Sequence, residues 1–343
     1  MTRTKKPTSG KAASIHDVAR LSGVSITTVS RVINKFPSVK EANRRRVLEV
    51  MKQLKYQPSS LAQQLASGRS NIVALVIPRY EGVFYSFYAL ELIRGIGTLC
   101  EALKLDLLLH LTDTRTQLNL TGLGGVIFSD IIGNRSQVED AIASGIPCIV
   151  INNYPKDLPV SCITVDNVGG ALAAVNYLVS LGHKKIAHIS GDLVTQAAAQ
   201  RFEGYKKALD KNNIIFKEEL VFKTDYSRGQ ARQAAEAILK MKEPPSAVFV
   251  ASDSMALEVM AVAREMAREI PRDLSIVGFD DNPSGLYGPV ALTTVKQPLI
   301  KMAEESVKEL YNIMNSKSKD NGPKKRILPT ELVIRESCRP FGK

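Results

Sequence analysis

The chain has 343 residues, 44% of them apolar and 23% charged, enough for about two domains with a sizeable core and too hydrophobic for a disordered or fibrous protein. Of the formal net charge of +12, residues 1–70 carry +11, from 14 Lys and Arg against Asp17, Glu41 and Glu49, which leaves +1 for the other 273 residues. A small cationic module on a nearly neutral body points to a polyanion at one end. The apolar stretches are far too short to span a bilayer, and the basic N-terminus lacks the apolar run of a secretory signal.

In chain order, residues 1–13 read as a flexible basic tail. Ser14-Ile-His-Asp17 reads as a capping box opening a helix near Ile15, and Gly23 supplies the positive φ that stops it. Ser25 restarts a helix with Thr28 three residues on and Val29, Val32 and Ile33 inside. Ser38-Val-Lys-Glu41 reads as a second capping box, opening an amphipathic helix through Val47, Val50, Met51 and Leu54. Ala19, Gly23, Val29 and Val32 fall where a helix-turn-helix needs a small contact residue, a left-handed turn residue and two packed apolar residues. A plain three-helix bundle is the alternative over 14–58, but the charge favours double-stranded DNA as the partner. A membrane surface is disfavoured, because no aromatic or leucine face is available to insert. Pro58 ends the third helix, and Leu61-Ala-Gln-Gln-Leu65 within the 59–69 linker is a short, marginal helix.

From Asn71 onward β-branched runs recur at Ile72–Ile77, Leu105–Leu111, Val126–Phe128, Cys148–Ile151, Ile186–Ile189, Ala247–Val250 and Ser275–Phe279. Helical patterns sit between them, among them 199–211, 229–241 and 254–268. This alternation predicts α/β architecture, parallel sheets with helices on both faces, and the number of units exceeds one domain, so two lobes are expected. Cys100, Cys148, Cys162 and Cys338 lie far apart and suit free thiols in a reducing cytoplasm; His16, His110, His183 and His188 show no metal-ligand spacing, and His183 is expected to orient a turn. No nucleophile elbow, Walker A sequence or His-Glu-x-x-His occurs, and Gly122-Leu-Gly-Gly125 lacks dinucleotide spacing. An enzyme is therefore disfavoured and no cofactor or metal is expected. A purely exported binding protein has no use for residues 14–69.

The run Ile15-His-Asp-Val-Ala-Arg-Leu-Ser-Gly-Val-Ser-Ile-Thr-Thr-Val-Ser-Arg-Val-Ile-Asn34, with Tyr56-Gln-Pro-Ser-Ser-Leu-Ala-Gln-Gln-Leu65, resembles the lactose-repressor/galactose-repressor family of transcription factors over nearly the whole chain. That resemblance implies an N-terminal helix-turn-helix domain, a hinge helix and a two-lobe α/β core like periplasmic sugar-binding proteins. The core spans 70–343, with one lobe near 71–166 and 297–326 and a distal lobe near 167–296 and 327–343. It implies a cytoplasmic homodimeric regulator, a repressor, on a near-palindromic operator, with affinity set by a small sugar-like effector between the lobes.

By motif, Ile26, Thr27 and Arg31 are the candidates for reading base edges, and Thr28, Ser30 and Asn34, with Tyr56, for other DNA contacts. Ser25 and Thr28 serve equally well as helix caps. Leu65 is the candidate wedge into a minor-groove step, with packing on the core as its alternative. Arg201 and Asp280 match the family's effector ligands; Ser252, Gln297 and Asn152 are further candidates, with Tyr226 as a stacking ring and Phe87 and Tyr88 as a pocket wall. For each of these, a surface ion pair, a helix cap or a core aromatic is the alternative. The fourteen residues between the strands near 105–111 and 126–128 are too few for the helix that relatives carry there, so that helix is expected to be lost or shortened. The chain ends soon after a strand predicted at 332–336 with no heptad repeat, so a dimer is expected rather than a coiled-coil tetramer.

Overall fold

The computed structural model describes residues 13–34, 36–56, 70–79, 83–113, 116–316 and 322–342, which divide into two units between Ser70 and Asn71. In the first unit, α1 (Ile15–Ser22), α2 (Ile26–Ile33) and α3 (Glu41–Gln53) enclose Val18, Ala19, Val29, Val32, Val47 and Val50. Ser14 and Asp17 form the reciprocal capping box, and Gly23 ends α1 at φ 68°. Bonds from Ser14 and Arg20 hold the Asp17 carboxyl down to about 2. The second expected box does not form. Lys40 precedes α3, so Glu41 is its first residue and Ser38 lies too far upstream to cap it. Glu41 instead sits at the positive end of the helix, near Arg44 and Arg45.

The second unit runs β1 (Ile72–Pro78), α4 (Phe87–Ala102), β2 (Asp106–Thr112), β3 (Gly125–Phe128), α5 (Arg135–Ala143), β4 (Cys148–Ile151), β5 (Ser161–Val165), α6 (Asn167–Ser180), β6 (Ile186–Ile189), α7 (Gln196–Lys211) and β7 (Val221–Phe222). It continues with α8 (Arg228–Lys240), β8 (Ala247–Val250), α9 (Asp253–Glu265), β9 (Ser275–Asp280), β10 (Thr293–Lys296), α10 (Leu299–Asn315), β11 (Lys325–Leu328) and β12 (Glu331–Val333). These strands form two six-stranded sheets, ordered β11-β5-β4-β3-β1-β2 and β12-β10-β9-β8-β6-β7. Every pairing is parallel except that of β10 with β12.

Helices cover both faces of each sheet, which explains strands buried end to end such as β3, β4 and β8. One face of the first sheet packs on α4 and α10 through Leu92, Ile96, Met302 and Val307. The approach is close: a Cβ on Gly95 would stand 2.7 Å from that of Ala303. The chain passes between the lobes three times, at 165–167, 296–299 and 328–331.

Strands β5, β7, β10 and β11 were not anticipated from the sequence. They are two to five residues long, and β5, β10 and β11 end beside a proline- or aspartate-bearing turn. The strand expected near 332–336 is β12, which lies slightly earlier, and the helix expected from 199 begins at Gln196, capped by Thr195. The described residues between β2 and β3 contain no helix. Leu118, Leu120 and Leu123 join the cluster of Val76, Val126 and Phe128 from a segment without regular structure, and Gln137 ties that segment down through Thr112 Oγ1 (2.9 Å) and the Thr116 carbonyl (2.6 Å). His183 bridges Ser246 Oγ (2.8 Å) and the Arg339 carbonyl (3.1 Å), joining a turn to the C-terminal segment. The four cysteines are free. Among the described residues no helix is long and apolar enough to cross a membrane, and no three His, Cys, Asp or Glu side chains gather as metal ligands.

Candidate functional site

In parallel sheets the strand carboxyl ends lie at one rim, where loops are free to carry ligand-binding groups. Arg201, one turn into α7, is the centre of the second lobe's rim, with only 5% of its side chain exposed. Its Nε donates to Asn167 Oδ1 (2.9 Å), Nη1 donates to the Ala251 carbonyl (2.6 Å), and the Phe279 ring lies 3.8 Å beneath the guanidinium. Asp280 Oδ1 stands 3.9 Å from Nη1 and accepts from Gln297 Nε2 (2.6 Å). Burial raises the Asp280 carboxyl, while the Arg201 charge, the Gln297 amide and the backbone amide of Asp253 draw it back. Arg201 and Gln297 are therefore both brought to Asp280. Because Asn167 and Gln297 open α6 and follow β10, each partner of the pair is tied to a crossover between the lobes.

Tyr226 has φ 67°, a strained conformation for a bulky side chain, and its ring lies so close over Gly191 that a Cβ there would be 2.0 Å from Cζ. Arg201, Asp280, Asp130 and Thr195 surround its phenol, which burial raises above the ordinary value. Asn152 also has positive φ, 64°, and its Oδ1 is buried with no hydrogen-bond partner; the same holds for Gln297 Oε1. Such clusters of strained residues and unmatched polar atoms belong to sites built for a ligand.

Ser252 is the N-cap of α9, where its Oγ accepts from the Met255 amide (3.4 Å). Phe87 and Tyr88 pack against the core of the first lobe, and the Tyr88 hydroxyl donates to the Ser129 carbonyl (2.7 Å), just beyond the end of β3.

Sequence reasoning missed Asn167, Asp130, Asp253 and Gln196. Asp253 is fully buried, accepts from Thr294 Oγ1 (2.6 Å) and the Asn282 amide (2.7 Å), and is raised to about 8 by burial and by the charge of Asp280. Its only sequence signal was adjacency to Ser252. The folded chain keeps this proton where the unfolded carboxyl has lost it, so stability falls as pH rises from about 4 to about 8. Asp253→Asn removes the titrating group: its Oδ1 still accepts from the Asn282 amide, and its Nδ2 donates to Thr294 Oγ1, a hydroxyl that can turn to accept. Its urea midpoint should decline less steeply over that interval than the parent's.

Gln196 gave no signal at all. Its side-chain amide accepts from the Tyr154 amide N–H (2.5 Å) and donates to the Tyr154 carbonyl (3.3 Å), clamping the loop after β4 in one lobe to the start of α7 in the other. Gln196→Ala should loosen this clamp, and small-angle scattering should show a larger radius of gyration for the variant.

On the other unit, the outer face of α2 carries Ile26, Thr27 and Arg31, all exposed, opposite buried Val29 and Val32. Ser25 Oγ accepts from the Thr28 amide (3.2 Å) and lies 2.9 Å from Thr28 Oγ1, so Ser25 caps α2 and Thr28 pairs with the cap. Asn34 Nδ2 reaches Ser30 Oγ (3.4 Å) on the flank, and Tyr56 packs against the small core. Leu65 and the hinge lie outside the described residues.

A capped three-helix unit with a polar, cationic α2 face, joined in sequence to two open parallel lobes with a strained polar rim, defines a ligand-responsive transcription regulator. Family models match as "Bacterial regulatory proteins, lacI family" over residues 14–59 and "Periplasmic binding protein-like domain" over 175–338. Catabolite control protein A of Priestia megaterium is 31% identical over 334 residues, covering 95% of this chain and 99% of that protein. Among solved structures, the Lac repressor dimer bound to operator and the anti-inducer ONPF has a TM-score of 0.81 at 25% identity, with 96% and 100% of the two chains covered. A transcriptional regulator CelR–cellobiose complex has a TM-score of 0.71 at 27% identity, covering 95% and 99%. The chain belongs to the LacI family of bacterial regulators and is not an enzyme.

Proposed function

We propose that the protein is a cytoplasmic repressor that binds a near-palindromic operator as a dimer and changes its operator affinity when a small sugar-like effector enters the cleft between the lobes. The observation that carries the effector half is the Arg201–Asp280 pair at the strand ends, hydrogen-bonded through Asn167 and Gln297 to two crossovers. A ligand that takes hydrogen bonds from Arg201 and gives them to Asp280 shifts those crossovers and hence the angle between the lobes. Coupling of this kind changes affinity about 5–150-fold. The family neighbours bound to operator and to cellobiose support both halves.

For dimerisation, β2 is an edge strand with Leu108 and Leu109 exposed, and Phe84, Tyr85 and Leu90 are exposed on the segment leading into α4 and on α4 itself. On DNA, Arg31 is assigned to a guanine edge, Ile26 and Thr27 to thymine methyls, Thr28, Ser30, Asn34 and Tyr56 to positioning contacts, and Leu65 to the minor-groove wedge. The test is a selection of bound sequences from random duplexes. A palindromic consensus is expected, and Arg31→Ala should lose about 1–3 kcal/mol and relax one base position in each half-site. Equal binding to all sequences would overturn the reading.

A further inference from the structure

The second sheet carries a cavity at the end away from Arg201. It has a volume of about 210 Å³ and lies where β6 begins, bordered by α7 and by the segment that leads into β7. A four-residue strand such as β6 spans about 13 Å, so the cavity and the Arg201 rim stand at opposite ends of that layer. Helix α7 reaches both: Tyr205 and Leu209 line the cavity, and Arg201 precedes Tyr205 by one turn.

The walls divide by chemistry. Ile186, Tyr205, Leu209 and Leu220 make an apolar floor, and the Tyr205 hydroxyl gives its hydrogen to the Ile186 carbonyl (2.9 Å). Ile215 stands at the mouth with 83% of its surface in water, where covering it with apolar matter is favourable. The rest of the mouth is cationic: Lys184, Lys185 and Lys217 share it with one carboxylate, that of Glu243. The Lys185 ammonium donates to the Glu243 carbonyl and lies 3.8 Å from the same residue's carboxylate, and Lys217 lies 3.8 Å from Glu219. Lys184 is exposed, and among the described residues no carboxylate stands within ion-pair distance of it.

An apolar floor with one uncompensated cation at its lip is complementary to an apolar body that bears a single negative charge. An ammonium acts as a point charge and makes no demand for planar pairing, which suits a terminal carboxylate. A second negative charge would meet Glu243 on the same rim, and a bare inorganic anion would leave the floor and Ile215 uncovered. We propose that this cavity is a second ligand site, separate from the cleft between the lobes, for a small monocarboxylate with an aromatic or short aliphatic body. The body lies against Leu209, Leu220 and Ile215, and the carboxylate against Lys184. Every lining residue belongs to the second lobe, so the site does not depend on the effector reading above.

The experiment is saturation-transfer NMR on the full chain at pH 7.5, with phenylacetate and hexanoate as the probes. Phenylacetamide, acetate and inorganic phosphate are the comparisons, and each titration is repeated with Lys184→Gln, Ile215→Glu and Arg201→Met. The two mouth positions are exposed, so the ligand-free variants should melt with the parent. Phenylacetate and hexanoate should each saturate one site through their apolar protons, with acetate and phosphate competing weakly or not at all. Phenylacetamide, and either carboxylate on Lys184→Gln, should bind about five-fold more weakly, the size expected of an exposed charge pair. Ile215→Glu should abolish binding, and Arg201→Met should leave it unchanged. Absence of transfer to both carboxylates overturns the proposal, as does equal binding of the amide or binding that survives both mouth substitutions. Binding lost in Arg201→Met would place the molecule in the cleft and overturn it as well.

Discussion

Replacing Arg201 by methionine should abolish the proposed effector response while leaving the capacity to bind operator duplex, because the residues proposed to read DNA lie in a unit with its own core. Methionine keeps much of the length and the contact with the Phe279 ring but removes the donors to Asn167 and Ala251 and the charge facing Asp280. Breaking one side of a buried pair leaves an uncompensated carboxylate, a loss of about 3 kcal/mol or more. Urea unfolding of Arg201→Met, Asp280→Asn and the double variant should show strong non-additivity, with the double variant recovering much of that loss. Additive losses would mean that the two side chains do not act as a unit.

Gly204→Ala should disturb the same site from behind. Gly204 lies one turn beyond Arg201 on α7, where a Cβ would come within 2.5 Å of the Val168 carbonyl and 2.7 Å of the Ala171 Cβ on α6. Both neighbours belong to a packed helix and have no rotamer that makes room, so α7 must move away from α6. Overpacking of this kind costs about 1–3 kcal/mol. The displacement also separates Arg201 from Asn167, the second residue of the crossover into α6 after Asp166. The variant is therefore expected to lower both the unfolding midpoint and effector affinity, whereas an alanine on an exposed face of α7, such as Glu203→Ala, should change neither by much.

Much of this arrangement was legible in the residues themselves. Local rules decided the helix-turn-helix: a capping box at Ser14, a positive-φ glycine at 23 and an i, i+3 valine pair at 29 and 32 each act within one turn of chain, so they can be read without knowing what packs where. The missed second capping box shows the limit of that logic, since Ser38 and Glu41 have the right spacing but the chain starts its helix at Glu41. Strands buried on both faces announced two parallel sheets, and family motifs singled out Arg201 and Asp280.

Tertiary structure decided what surrounds them. Asn167, Asp253, Gln196 and Asp130 are separated from Arg201 by up to 71 positions, and their role depends on which loop ends meet across the rim. It also set the local partners of Ser252, a helix cap, and of Phe87 and Tyr88, which pack on the core of one lobe. Short-range hydrogen bonds and hydrophobic periodicity are written along the chain, whereas charge pairing and burial depend on through-space distances that only the folded molecule sets.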